Sequence, residues 1–127
     1  MAVQDIEVVV VGGGQAGIAM SEHLGAAGIE HVVLERGRIA ERWRSNRWDS
    51  LVANGPCWHD RFPGLAFDGF DPDAFVPKEA VVEYFATYVE KFQVPMRTGV
   101  EVTSVTRTDA GFLVQTSDGD YRARFVV

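Results

Sequence analysis

Three glycines near the amino terminus are spaced as a phosphate-binding turn requires. Gly12, Gly14 and Gly17 follow the valines at 8–11 and fit the pattern G-x-G-x-x-G. The first glycine permits a tight exit from a strand, the second lets the backbone approach a pyrophosphate, and the third lets a helix pack closely on the sheet. The free N–H groups at the start of that helix attract phosphate.

An acidic residue follows at the distance at which a βαβ unit places one. The helical pattern over 16–27 ends before Gly28, and the apolar run that follows ends in Glu35, roughly 20 residues beyond the glycines. A carboxylate there accepts hydrogen bonds from ribose hydroxyls and repels the 2′-phosphate of NADP. The segment therefore predicts a dinucleotide site, and NAD and FAD both satisfy the motif.

Composition narrows the classes of function. The 127 residues are 46% hydrophobic, which suffices for the core of one domain, and the net charge of −6 argues against a nucleic-acid or anionic-membrane partner. The single cysteine, Cys57, excludes an intramolecular disulfide and fits a reducing compartment. With no signal peptide or membrane span in the sequence, we expect a cytoplasmic protein with a small-molecule substrate. An exposed sheet edge would permit a homo-oligomer.

Periodicity predicts an α/β fold of the Rossmann type. Apolar runs indicate three parallel strands, at 4–11, 30–35 and 94–97. Helical spacing indicates helices at 16–27, near 39–44 and at 78–92, with a long irregular stretch between the last two. Three further runs separated by glycine-containing turns indicate an antiparallel β-meander, at 100–108, 112–115 and 121–127.

The chain resembles the FAD-binding domain of flavoproteins that carry two dinucleotide-binding domains. Within them it is most similar to the flavin-containing monooxygenases and their Baeyer–Villiger and auxin-forming relatives. The motifs that carry the likeness are Gly12-Gly13-Gly14-Gln15-Ala16-Gly17, Leu34-Glu35-Arg36, Glu41-Arg42-Trp43, and the stretch from Trp48-Asp49-Ser50-Leu51 through Asn54 to Phe62-Pro63. The likeness covers residues 1–127, which we interpret as one Rossmann-like FAD-binding domain.

The resemblance implies a role for each matched residue. The FAD pyrophosphate would lie on Gly12, Gly14, Gln15, Ala16 and Gly17, and the adenosine ribose on Glu35. The adenine side would meet Arg36 and the backbone of Val102, while Arg42 and Trp43 would run along the flavin. Asn54 matches an asparagine beside the reactive flavin edge, so its amide would act in catalysis by bonding a C4a-hydroperoxide or by positioning substrate.

The function implied by the resemblance is that of an FAD-dependent oxidoreductase. It would use NADPH and oxygenate a small molecule through the flavin C4a-hydroperoxide. One alternative is an NAD(P)H:flavin oxidoreductase similar to thioredoxin reductases but without their redox cysteines. Another is a dinucleotide-binding module without catalysis that serves as a redox sensor.

Two features depart from the family pattern. The family usually has glycines before its tryptophan, where this chain has Glu41-Arg42. The last strand would normally run into an Ala-Thr-Gly-like turn, a second glycine motif for NADPH and the monooxygenase fingerprint, and none of these is present. We therefore expect 1–127 to be an incomplete fragment, with the NADPH site outside it, that holds flavin weakly and is inactive alone.

The remaining candidate residues have plain structural interpretations. The histidines show no metal spacing, so no metal site is predicted. Cys57 has no cysteine partner three residues away, which disfavours a disulfide-reductase mechanism and predicts a half-buried thiol. Trp48 and Trp58 are expected to anchor the core or the long loop.

Overall fold

The protein is described by a computed structural model that covers residues 3–45, 47–48 and 50–127. In this part of the chain the strands are β1 (Val3–Val11), β2 (His31–Leu34), β3 (Met96–Arg97), β4 (Val102–Thr108), β5 (Gly111–Thr116) and β6 (Gly119–Val126). The helices are α1 (Gln15–Ala26), α2 (Glu41–Ser45) and α3 (Lys78–Lys91). The strands form one mixed sheet in the order β3-β2-β1-β6-β5-β4.

The parallel half of the sheet is built around β1. This strand lies between β2 and β6 and runs parallel to both, with Val9 opposite Val32 on one side and Val126 on the other. The predicted short third strand is present as β3, which runs parallel to β2. Val9 and Val10 are almost fully buried, as is typical of strands that are covered on both faces.

Helix α1 connects β1 to β2 and confirms the predicted βαβ unit. It begins and ends one residue earlier than the periodicity indicated. Gly28 follows it with a φ of +70°, and its N–H donates to the carbonyl of Gly25 at 3.1 Å. Met20 and Leu24 on α1 pack against the valines of β1 and β2.

The predicted β-meander is also confirmed. Strands β4, β5 and β6 pair antiparallel, with Gly111 at φ +143° and Gly119 at φ +95° in the turns between them. Strand β4 begins at Val102 rather than at the predicted residue 100. The reason is that the N–H of Val100 donates to the carbonyl of Glu35 at 3.0 Å, outside the meander.

Helix α3 begins directly after Pro77, where the sequence places it. Its buried side chains are mostly apolar or aromatic and pack against α1 and the long connection: Val81, Tyr84, Phe85 and Tyr88. Among the described residues, none of the helices combines the length and the apolar character needed to cross a membrane.

Two segments of the long connection between α2 and α3 pair with each other. The N–H groups of Ala53, Cys57 and Trp58 donate to the carbonyls of Val76, Ala74 and Pro72 at 2.8, 2.9 and 3.0 Å. Val52 and Pro77 form the antiparallel bridge at the base of this arrangement. We call residues 52–58 and 72–77 the ribbon.

Trp48 and Trp58 do not take the core position that was one of their two predicted roles. Trp48 is 66% exposed and Trp58 is 60% exposed, so neither anchors the core. Phenylalanines take that place: Phe62 packs on Tyr84 with ring centroids 5.3 Å apart, and Phe67 stacks on the same ring at 4.0 Å. Their hydrophobic spacing in the sequence is irregular, which hid this role.

Candidate dinucleotide-binding site

A cavity of about 490 Å³ lies at the carboxyl ends of β1 and β2, where open α/β sheets bind their ligands. The glycine turn, the end of β2, helix α2 and the start of the meander form its walls. We call it the dinucleotide cavity. Most of the predicted cofactor residues line it: Gly12, Gly14, Gln15, Glu35, Arg36, Arg42, Trp43 and Val102.

The glycine turn forms one wall through its backbone. Gly12 has a φ of +99° and donates its N–H to the carbonyl of Leu34 at 2.8 Å, which holds the turn against β2. A Cβ on Gly17 would collide with the carbonyl oxygen of Gly12, so this position requires glycine for the approach of α1. Gly17 therefore supports the turn from behind and does not line the cavity.

Gly14 differs from Gly17 because the space where its Cβ would lie is open. A Cβ built on it would meet no protein atom within 4 Å, and its φ of −77° suits any residue. It precedes α1, whose start has no side-chain cap and no acidic residue in the first turn. The first N–H groups of the helix therefore remain available to an anion, and the space beside Gly14 fits a phosphate group.

Glu35 ties the glycine turn to the segment after β2. Its carboxylate accepts hydrogen bonds from the N–H of Gly13 at 3.0 Å and from the N–H of Gly37 at 2.6 Å. Each carboxylate oxygen keeps a further lone pair, so ribose hydroxyls can still donate to it. Gly13 is itself confined, because a Cβ there would lie 2.9 Å from Cε of Met96.

The adenine end predicted from the sequence lies beside Glu35. The N–H of Gly99 donates to the carbonyl of Gly37 at 3.2 Å, and Val100 donates to Glu35 as described above. These two hydrogen bonds hold the backbone of Gly99 and Val100, which precede β4, against the residues that follow β2. As a result Val102 reaches the cavity although it is 67 residues from Glu35 in sequence (102 − 35).

The other end of the cavity is bounded by α2 and the residues after it. The guanidinium of Arg47 lies 5.3 Å from the centre of the Trp43 ring, within the range of a cation–π contact. Phe85 of α3 closes the wall behind them. This end is therefore aromatic and cationic, a surface suited to the flat ring system of a flavin and to its negatively charged linker.

Helix α2 begins with an ion pair on the cavity rim. Nε and one NH2 group of Arg38 donate to the two carboxylate oxygens of Glu41, both at 2.9 Å. The hydrogen bond from Arg38 lowers the pKa of Glu41 from its ordinary value to about 2. Ala40, just before it, has a φ of +59°. This is the left-handed region that L-residues other than glycine rarely adopt, and Ala40 lies in the cavity wall.

Three predicted residues lie outside the described lining of the cavity: Ala16, Gly17 and Asn54. Ala16 is exposed in the first turn of α1, and Asn54 is exposed on the ribbon. Several lining residues were not predicted: Gly13, Gly37, Ala40, Glu41, Arg47, Phe85, Val100 and Glu101. Gly13 and Gly37 flank predicted residues and could have been included, whereas Phe85 and Val100 carry no sequence signal for this site.

The thiol of Cys57 is buried more deeply than expected, at 4% exposure, in the core beneath the ribbon. Burial raises its pKa, which keeps it protonated and unreactive. Among the described residues, no three His, Cys, Asp or Glu side chains are arranged so that they could hold a metal ion.

Comparison with known proteins agrees with this architecture. The chain is 37% identical over 123 residues to an uncharacterized CzcO-like oxidoreductase of Geobacillus kaustophilus, covering 96% of this chain and 35% of that protein. It is 28% identical to the probable indole-3-pyruvate monooxygenase YUCCA1 of Arabidopsis thaliana, covering 94% of this chain and 30% of that protein. It therefore spans about a third of the length of these relatives.

Among solved structures, the flavin-containing monooxygenase of Stenotrophomonas maltophilia superposes with a TM-score of 0.86 at 26% identity, covering 98% of this chain and 38% of that one. This likeness extends over the βαβ unit, the long connection and the meander together. The sequence model of the family described as pyridine nucleotide-disulphide oxidoreductases matches residues 9–127 of this chain. With the glycine turn, the carboxylate that follows β2 and this match in agreement, the chain belongs to the pyridine nucleotide-disulphide oxidoreductase family.

Proposed function

We propose that this chain forms the FAD-binding part of an NADPH-using monooxygenase that oxygenates a small molecule. The observation that carries the proposal is the open space at Gly14, which faces the same cavity as Glu35. Protein packing alone gives no reason for glycine at this position, whereas a pyrophosphate does. The flavin-containing and indole-3-pyruvate monooxygenases among its relatives support oxygenation as the reaction.

The residues present fit FAD along the whole cavity. The uncapped start of α1 would hold the pyrophosphate, and Glu35 the adenosine ribose. Arg36 and the backbone of Val102 would flank the adenine, and Arg42 and Trp43 the flavin side. Ala16 would contribute only its N–H, because its side chain is exposed outside the described lining.

FAD held here would supply the redox chemistry between NADPH and oxygen. In the overall reaction NADPH, a proton, O₂ and the substrate are consumed, and NADP⁺, water and the oxygenated product are formed. The chain contributes orientation and exclusion of water: the Trp43 and Phe85 rings cover the flavin side of the cavity. The neutral amide of Asn54 would donate a hydrogen bond at the substrate side.

The family assignment favours one competing function, an NAD(P)H-dependent flavin oxidoreductase that does not oxygenate its substrate. A dithiol mechanism through Cys57 is disfavoured for this chain, because the thiol is buried and the sequence holds no second cysteine. A competing enzyme without redox cysteines would pass electrons from the flavin directly to an acceptor.

The visible absorption spectrum of the full-length protein, before and after NADPH is added in air, separates these functions. For a monooxygenase we expect flavin bands that bleach and return, with one oxygen atom from ¹⁸O₂ recovered in the product. Bleaching without incorporation of ¹⁸O would identify the simple oxidoreductase. Bands that never bleach would leave a flavin-binding module, and absence of flavin would refute the proposal.

A further inference from the structure

One wall of the dinucleotide cavity depends on a short connection between two strands. Residues 98–101 lead from the end of β3 to the start of β4 without regular secondary structure, and we call them the β3–β4 connection. The last of them, Glu101, lines the cavity together with Val102. In the proposed function this wall flanks the adenine. An irregular connection keeps a binding shape only if other groups hold it in place.

Both ends of the β3–β4 connection are fixed by hydrogen bonds. Just before its start, the carbonyl of Arg97 accepts from the N–H of Glu35 at 2.9 Å. At its end, Glu101 bonds twice to Ser117 in the turn between β5 and β6. The carbonyl of Glu101 accepts from the N–H of Ser117 at 2.9 Å, and its N–H donates to the Ser117 hydroxyl at 2.9 Å. The position of the wall therefore depends on where this turn lies relative to β3.

The side chain of Arg97 joins these two ends directly. Its guanidinium donates to a carboxylate oxygen of Asp118, the residue after Ser117, and to the hydroxyl of Tyr121 on β6. It also reaches the carbonyl of Asp118 at 3.4 Å. We call Arg97, Asp118 and Tyr121 the clasp. The clasp and the β3–β4 connection form a closed loop, because the side chain of Arg97 and the backbone of 98–101 span the same gap.

The clasp has a rigid base. Tyr121 is 2% exposed and packs in the same core cluster as Val9 and Leu34 of the parallel strands. The guanidinium carbon of Arg97 lies 5.8 Å from the centre of the Tyr121 ring. A planar guanidinium can bond two partners at a fixed angle, which the single ammonium of a lysine cannot do. The clasp therefore fixes the turn against β3 by geometry as well as by charge.

We propose that Arg97 is a positioning residue for the adenylate half of a bound dinucleotide. Arg97 is not among the described residues that line the cavity, so it acts on the ligand through others. It holds the turn at Ser117, and this turn in turn holds Glu101 in the cavity wall. The proposal rests on the proposed function for the dinucleotide, but it does not depend on the oxygenation reaction.

Calorimetric titration of the full-length protein, freed of flavin, with ADP tests the proposal. Arg97→Gln should raise the Kd for ADP about tenfold, because the bonds to Tyr121 and Asp118 are both lost. Asp118→Ala should raise it about threefold, since the side chain of Asp118 is 70% exposed and exposed pairs contribute less. Asp118→Asn keeps an acceptor for Arg97 and should restore part of the affinity.

The matched control is Asp5→Ala, which also removes one exposed arginine–aspartate pair from the sheet. Asp5 on β1 pairs with Arg122 on β6 at 2.8 Å, and neither residue is among those that line the dinucleotide cavity. Urea unfolding should show similar stability for Asp5→Ala and Asp118→Ala, whereas only Asp118→Ala should weaken ADP binding. If the clasp merely stabilised the fold, both variants would bind ADP equally well.

The remaining outcomes decide against one proposal or the other. Equal Kd values for ADP in wild type and Asp118→Ala would overturn the role of the clasp, as would a wild type that does not bind ADP. If Arg97→Gln does not fold, Asp118→Ala decides alone. A protein whose ADP affinity depends on the clasp as expected, but which binds no flavin or does not oxidise NADPH, would refute the proposed function alone.

Discussion

The glycine turn and the long connection between α2 and α3 are held in place by different means. In the glycine turn, backbone groups would bind the ligand, and the positions differ in whether a Cβ atom would fit. A Cβ on Gly17 would collide with protein atoms, whereas a Cβ on Gly14 would meet none. In the ribbon and the loop beyond it, side chains far apart in sequence hold the backbone in place, as Glu22 of α1 does for Gly64 at 3.0 Å. The comparison teaches that the turn is sensitive to added atoms, whereas the long connection is sensitive to lost hydrogen bonds.

Gly17→Ala should have the largest effect on stability. The new Cβ would collide with the backbone oxygen of Gly12, and we expect α1 to shift at a cost of about 3 kcal/mol. The matched control is Gly25→Ala on the same helix, where no atom lies within 4 Å. It should stabilise by about 0.5–1 kcal/mol. Urea unfolding measures both, and equal effects would contradict the packing role of Gly17.

Gly14→Ala should separate binding from stability. Since the position is open and its φ is permissive, the free energy of unfolding should not change. FAD should bind about 100-fold more weakly, because its pyrophosphate would lose close hydrogen bonds from the backbone. Fluorescence titration with FAD gives the affinity. Tight binding by this variant, with Gly25→Ala as the control, would disprove the phosphate cradle.

Tyr88→Phe tests the long connection. The Tyr88 hydroxyl donates to Glu22 at 2.7 Å, and burial followed by this carboxylate raises the pKa of the phenol. Loss of the hydroxyl should cost about 1–2 kcal/mol of stability, since the half-buried carboxylate of Glu22 loses one donor. FAD affinity should stay unchanged. Thermal unfolding with hydrogen exchange at Gly64 measures the effect, and Glu22→Gln, which keeps an acceptor, should be milder. If Tyr88→Phe weakened FAD binding as well as stability, the glycine turn and the long connection would not have the separate roles described above.

Arg38→Gln should have the smallest effect. In the wild type the hydrogen bond from Arg38 holds the pKa of Glu41 at about 2. Because the folded pKa is lowered, the stabilisation is present above the unfolded pKa of a glutamate and is lost as pH falls toward 2. The pair is solvent-exposed, so stability near neutral pH should hardly change. In the variant, NMR titration of the Glu41 carboxyl should give a pKa near its ordinary value. If the Glu41 carboxyl of the wild type already had a pKa near its ordinary value, the ion pair with Arg38 would be ruled out.

Much of the fold and part of the site could be predicted because they depend on local rules. The valines before Gly12 indicated a buried parallel strand, and spacing placed Glu35 at the end of the next one. Glycines that need positive φ marked the turns of the meander. These features involve neighbours in sequence, or elements joined by one short helix, so periodicity and residue type suffice.

The sequence by itself determined the βαβ unit, the meander and the chemistry of the glycine turn, because each follows from local backbone preferences. Only the tertiary structure decided that Val100 pairs with Glu35, that Phe85 closes the cavity and that Trp58 faces outward. These contacts depend on how the irregular connection folds back on α3. Its path is set by hydrogen bonds from its backbone to side chains of distant helices, from Gly64 to Glu22 and from Phe62 to Tyr84, for which hydrophobic periodicity carries no signal.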